Sequence, residues 1–159
     1  MKKIVVSICI YLLVSNGYCQ QIPKWKIDDV VNFYSTKNDS TYVVNFWSTW
    51  CGPCVEEIPY LQSICTKYAD KKVKLLLVSL DNRKIYGSSL QNFIKQKKIT
   101  AQVVWLNETD ADVYCPRIDS AWSGAIPASI IVNNKAGYKK FYETQFTKKQ
   151  FEAAIKKAL

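Results

Sequence analysis

The sequence has 159 residues, with 22 Lys and Arg against 13 Asp and Glu, six cysteines and no histidine. That length allows one domain with a leader, and 48% hydrophobic residues with only 5 Gly and 5 Pro exclude disordered and collagen-like chains. Without histidine no Ser-His-Asp or Cys-His nucleophile and no His-bearing zinc site can form, so the cysteines carry the chemical interest.

The first residues read as a secretory signal. Lys2 and Lys3 precede the apolar run Ile4 to Val14, which is too short to span a bilayer but suits a signal core. Ser15, Asn16 and Gly17 break it. The expected division is a signal peptide over 1–19 and one domain over 20–159, in the periplasm or outside the cell. Lipid anchoring through Cys19 is the lesser alternative, because the bulky Tyr18 precedes it. Losing Lys2 and Lys3 lowers the net charge from +9 to +7. An oxidising compartment then holds Cys51, Cys54, Cys65 and Cys115.

Along the domain, Lys26 to Tyr34 places Ile27, Val30, Val31 and Tyr34 at helical spacing. Thr41 to Trp47 is β-branched and aromatic, a buried strand. Cys54 to Tyr68 reads as a helix that Pro59 is expected to kink. Val73 to Leu80 is a nearly continuous apolar run, as in a strand covered on both faces. Leu90 to Lys98 is helical, Val103 to Leu106 a short strand, and Asn107 to Gly124 an irregular polar stretch. Ala128 to Val132 and Tyr138 to Tyr142 are strands around a turn, and Lys148 to Leu159 is an amphipathic helix. This order implies an α/β fold whose sheet has helices on both faces. The basic residues fall in scattered doublets such as Lys71-Lys72 and Lys139-Lys140, without a stripe interleaved by aromatics, so no nucleic-acid partner is expected.

Trp50-Cys51-Gly52-Pro53-Cys54 lies between a buried strand and a helix start. Cys-x-x-Cys in that setting is a redox motif when no second metal-binding pair exists, and Cys65 and Cys115 form none. Cys51 at a helix N-terminus is favoured as thiolate by free N–H groups and the helix dipole. Pro53 suits the first turn, where its missing N–H costs nothing. Cys54 is expected to point inward as the resolving thiol. Glu57 lies at i+3 from Cys54 and shares its face, whereas Glu56 should face solvent. Cys65 reads as a small core residue. Cys115 reads as structural or as an accessory thiol, and a Cys65–Cys115 bond stays open. Asp110, Asp112 and Asp119 lack the Gly and Glu of a calcium loop, so no metal site is expected.

The stretch Asn45 to Cys54, with Glu57-Ile58-Pro59 after it and Ile126-Pro127 before a strand, resembles the thioredoxin superfamily, and within it the secreted TlpA/ResA-type thiol:disulfide oxidoreductases. The resemblance covers about residues 26 to 159. It implies a thioredoxin fold, a central mixed β-sheet flanked by helices on both faces. It implies catalysis by Cys51, Cys54 and Glu57, and substrate contacts from Trp50, Gly52, Pro53, Ile126 and a cis Pro127. It implies no cofactor beyond the redox-active Cys51–Cys54 disulfide. Its partners would be disulfide-containing proteins and an external thiol donor in the membrane or periplasm, with the chain itself a monomer. One departure is Asn45, where thioredoxin carries a buried Asp; an amide cannot accept the Cys54 proton. The Gly-Pro dipeptide matches thioredoxin and leans toward a reductant. Two alternatives compete: a redox-regulated binding or scaffold module, and a thiol peroxidase. The second would need the peroxiredoxin pattern Pro-x-x-x-Thr-x-x-Cys, where this chain has Val44 and Ser48.

Overall fold

A computed structural model describes residues 21–159. The expected signal segment 1–19, with Cys9 and Cys19, lies outside the described residues. The chain runs β1 (Lys24–Trp25), α1 (Ile27–Ser35), β2 (Thr41–Trp47), α2 (Gly52–Lys67), β3 (Val73–Ser79), α3 (Ser88–Gln96), β4 (Gln102–Leu106), α4 (Ala111–Ile118), β5 (Ala128–Asn133), β6 (Tyr138–Tyr142) and α5 (Lys148–Ala158). The strands form one mixed sheet in the order β1-β4-β3-β2-β5-β6. β1, β4, β3 and β2 run parallel, β5 adds antiparallel to β2, and β6 adds antiparallel to β5. This is the expected thioredoxin-like arrangement.

The strand β2 is the spine. It pairs with β3 on one side and β5 on the other, and all seven of its residues are buried. Its alternating side chains therefore feed two faces. Val44 and Phe46 pack with Val30, Tyr34, Tyr114 and Ile118 from α1 and α4. On the opposite face Val43 packs with Leu61 and Ile64 of α2 and with Phe151 and Ile155 of α5, while Trp47 meets Cys54, Ile58 and Leu90. Each fully buried aliphatic or Phe side chain in these layers contributes about 1.5–3 kcal/mol relative to exposure.

The helix α4 corrects the reading of 107–124 as irregular. Pro116 and the acidic run mask a helical pattern in which Ala111, Tyr114, Cys115 and Ile118 recur at i, i+3, i+4 and i+7. The Asp110 carboxylate caps the helix by accepting from the Asp112 N–H at 3.0 Å. A proline at the sixth position of an eight-residue helix disrupts little, because most of the turns precede it. The two-residue β1 is also new; its backbone pairs beside Trp105 and Leu106. Likewise α2 begins at Gly52 rather than Cys54 and continues through Pro59.

Candidate active site

β2 ends at Trp47, and the chain turns through Ser48–Trp50 into α2 at the carboxyl end of the parallel strands. Ligand and reaction sites of open α/β sheets favour that position. The Cys51 N–H donates to the Ser48 carbonyl at 3.1 Å, which closes this turn. Cys51 is the N-cap of α2, and its Sγ accepts from the Cys54 N–H at 3.3 Å. The cap sulfur thus occupies the place of the oxygen that usually satisfies a free donor at a helix start. Cys51 and Cys54 are joined as a disulfide with Cα atoms 5.3 Å apart. Cys54 is completely buried, whereas the neighbouring Trp50 is 69% exposed and Gly52 and Pro53 are also exposed.

The Ile126–Pro127 peptide bond is cis, and the Ile126 carbonyl oxygen lies 3.8 Å from Cys51 Sγ. The motif and the Ile126–Pro127 loop therefore meet at Cys51 Sγ, with Trp50, Gly52 and Pro53 exposed beside it, Ile126 half-buried and Pro127 buried. Trp122 holds this loop from inside. Its Nε1 donates to the Ala125 carbonyl at 2.9 Å while its ring packs 4.5 Å from Phe46.

Glu57 is completely buried one turn after Cys54. Its Oε1 accepts from Asn45 Nδ2 at 2.8 Å and its Oε2 from the Phe146 N–H at 2.9 Å. Asn45 Nδ2 also donates to Ser129 Oγ at 3.0 Å, the residue opposite it across the β2–β5 pair. Burial pushes the Glu57 carboxyl up from an ordinary 4.5 to about 7, against the two hydrogen bonds that favour its charged form. It therefore changes charge near neutral pH inside the layer that holds Cys54. Glu56 is exposed.

Other parts of the site were not among the expected residues. Asp81, only 3% exposed, accepts from the Thr49 N–H through both oxygens at 3.1 Å, from Thr49 Oγ1 at 2.7 Å and from Ser79 Oγ at 2.9 Å. Trp105 Nε1 donates to the Asp81 carbonyl at 2.6 Å. Asp81 thus ties the turn before Cys51 to the end of β3. Its signal in the sequence was an acid directly after the apolar run Val73 to Leu80, where a parallel strand delivers its carboxyl end to the site. Phe146 contributes only a backbone N–H, which no sequence pattern marks. Among the described residues, three buried polar atoms have no partner: Asn45 Oδ1, Trp47 Nε1 and Ser48 Oγ. All lie in the four residues 45–48 that lead into the motif.

Cys65 and Cys115 are free and buried. Cys65 packs under α5 and Cys115 among α1, α4 and Trp122, on opposite faces of the sheet, so the open question of a bond between them resolves against one. Burial pushes the Cys65 thiol up to about 12. Burial, with Glu143 and Asp112 nearby, pushes Cys115 up to about 11.

Comparison with known proteins agrees with this geometry. A model of the AhpC/TSA family matches residues 20–137. The chain is 29% identical over 115 residues to the thiol-disulfide oxidoreductase ResA of Bacillus cereus, a match that covers 72% of this chain and 61% of that relative. It is 36% identical over 62 residues to the sporulation thiol-disulfide oxidoreductase A of Bacillus subtilis, covering 39% of this chain and 38% of that one. The chain therefore spans about three fifths of the length of the ResA relative. Among solved structures, StoA from Bacillus subtilis superposes with a TM-score of 0.56 at 26% identity, over 73% of this chain and 82% of that one. A thioredoxin-related protein from Neisseria meningitidis serogroup B shares the fold with a TM-score of 0.65 at 23% identity, over 78% and 87%. The chain belongs to the AhpC/TSA family of the thioredoxin superfamily, with relatives of the ResA and StoA type.

Proposed function

We propose that this chain is an extracytoplasmic thiol:disulfide oxidoreductase that reduces protein disulfides through Cys51 and Cys54. The observation that carries the reading is the Cys51–Cys54 pair itself. It is joined at a helix N-terminus, with one sulfur beside the Ile126 carbonyl and the other buried in the layer of Glu57. In the reduced protein, the Cys51 thiolate attacks one sulfur of the substrate disulfide. A mixed disulfide forms and one substrate thiolate leaves. Cys54 then passes its proton to the Glu57 carboxylate and attacks Cys51 Sγ. The second substrate thiol leaves, and two electrons have moved from the dithiol to the substrate. An external thiol donor in the membrane or periplasm returns the pair to the dithiol.

The disulfide is itself the redox group, and no further cofactor enters the cycle. Trp50, Gly52, Pro53, Ile126 and Pro127 form the surface that receives an extended substrate segment, with the backbone at Ile126 as its pairing edge. The location rests on the sequence of residues 1–19, a signal peptide whose removal leaves residues 20–159 outside the cytoplasm, with lipid attachment at Cys19 the lesser alternative. Dithiothreitol-coupled reduction of insulin tests the activity. The expected result is turnover that Cys51→Ser abolishes. Absence of turnover, or turnover that survives Cys51→Ser, overturns the reading, and hydrogen peroxide consumption in the same assay would favour a peroxidase.

A further inference from the structure

We propose that Glu143 is a positioning residue that holds the loop before the cis proline in the shape that presents Ile126 to protein disulfides. The inference rests on the oxidoreductase reading and deepens it. Glu143 follows directly on β6, and the pairing of Tyr142 with Ser129 sets it beside the start of β5, next to Pro127. Its Oε1 accepts from the Ser123 N–H at 3.0 Å, from the Ala125 N–H at 3.0 Å and from Ser123 Oγ. Gly124, at φ +94°, curls the chain so that the two flanking N–H groups converge on one point. A carboxylate oxygen at that point makes charge-assisted bonds, stronger than those a neutral acceptor would make.

The same loop is held from the other side, where Trp122 Nε1 donates to the Ala125 carbonyl. Both backbone groups of Ala125 are thus spent within the protein. The pairing edge offered to a substrate therefore begins at Ile126, whose carbonyl faces Cys51 Sγ. Residues 143–146 extend this hold to the rest of the site. Gln145 Nε2 donates to the Pro53 carbonyl at 3.2 Å, and the Phe146 N–H reaches Glu57. One short segment after β6 therefore fastens the substrate loop, the start of α2 and the buried acid. A small disulfide needs to reach only Cys51 Sγ, at a residue 6% exposed beside the exposed Trp50 and Gly52, whereas a protein disulfide also needs the backbone at Ile126. Glu143 accordingly bears on selection for protein substrates rather than on thiol chemistry.

The test compares the wild type, Glu143→Ala and Glu143→Gln on insulin and on oxidised glutathione, with dithiothreitol as the electron source and its uncatalysed reduction of each disulfide subtracted. For Glu143→Ala the expected result is an insulin KM raised about tenfold with kcat nearly constant, so that kcat/KM for insulin relative to the small disulfide falls about tenfold. Glu143→Gln keeps an acceptor oxygen and is expected to recover most of that loss. Amide exchange at Ala125 should quicken in Glu143→Ala. An unchanged insulin KM, or equal losses on both substrates, overturns the proposal. A wild type that reduces neither substrate overturns the oxidoreductase reading, and this inference with it.

Discussion

Asn45 Nδ2 donates to Glu57 Oε1 at 2.8 Å, between two residues that are both fully buried. The amide cannot take a proton from Cys54, but it orients the carboxyl group to which the proposed cycle assigns that proton. In that proposal the acid–base function sits on α2 rather than on β2. The Phe146 N–H on the second oxygen fixes the carboxyl plane. Burial outweighs both bonds and brings the group to about 7, near the pH at which a general base is most useful.

The first prediction concerns rate. Glu57 must be ionised to accept the Cys54 proton, so the rate of mixed-disulfide resolution should rise through about pH 7. Glu57→Gln should lower that rate about 100-fold and remove the pH 7 limb, within the usual range for a lost general base. Stopped-flow reduction of a preformed mixed disulfide from pH 5 to 9 measures it. An unchanged profile returns the proton to water or another group.

The same group sets a stability dependence. Its folded value of about 7 lies above the ordinary 4.5 expected in the unfolded chain, so the folded protein holds the proton more tightly. Its contribution is full below about pH 4.5, falls as pH rises, and is lost above about 7. The size is at most about 3 kcal/mol. Urea unfolding at pH 5 and pH 8 should show the loss in the wild type and a flatter dependence in Glu57→Gln.

Asp81 offers a prediction independent of the sulfur chemistry. Removing its carboxylate strands the Thr49 N–H and the hydroxyls of Thr49 and Ser79 around a buried site. Asp81→Ala should cost about 2–4 kcal/mol. A shifted urea midpoint with an unchanged slope is the expected signature, and a cost below about 0.5 kcal/mol would show that the turn does not depend on it.

The buried cysteines should be inert. In a reduced protein beginning at residue 20, a maleimide should label Cys51 quickly, while Cys65 and Cys115 react only after denaturation. Mass spectrometry of peptides from native and unfolded samples checks this. Native labelling of Cys115 would revive an accessory thiol role.

Much of the architecture was legible because burial on two faces leaves a strong imprint. β2 and β3 read as continuous apolar runs, and α1 and α5 as periodic ones. The Cys51–Cys54 disulfide, the inward-facing Glu57 and the cis Ile126–Pro127 bond match what spacing and resemblance implied for those positions. What escaped has physical causes. β1 is two residues long and its pairing is backbone only, so its side chains carry no pattern. α4 hid behind Pro116, although its four apolar positions kept helical spacing. The Phe146 N–H and the two N–H donors on Glu143 are backbone groups brought in from 18 or more residues away in the chain, a relation that only the folded sheet creates.

The reduction potential of the Cys51–Cys54 pair tests the central claim most directly. It is measured by equilibration with dithiothreitol buffers and thiol trapping. The account predicts a value close to that of thioredoxin, roughly −270 mV, which lets the dithiol reduce protein disulfides. A value near −120 mV would make the pair an oxidant and contradict the account.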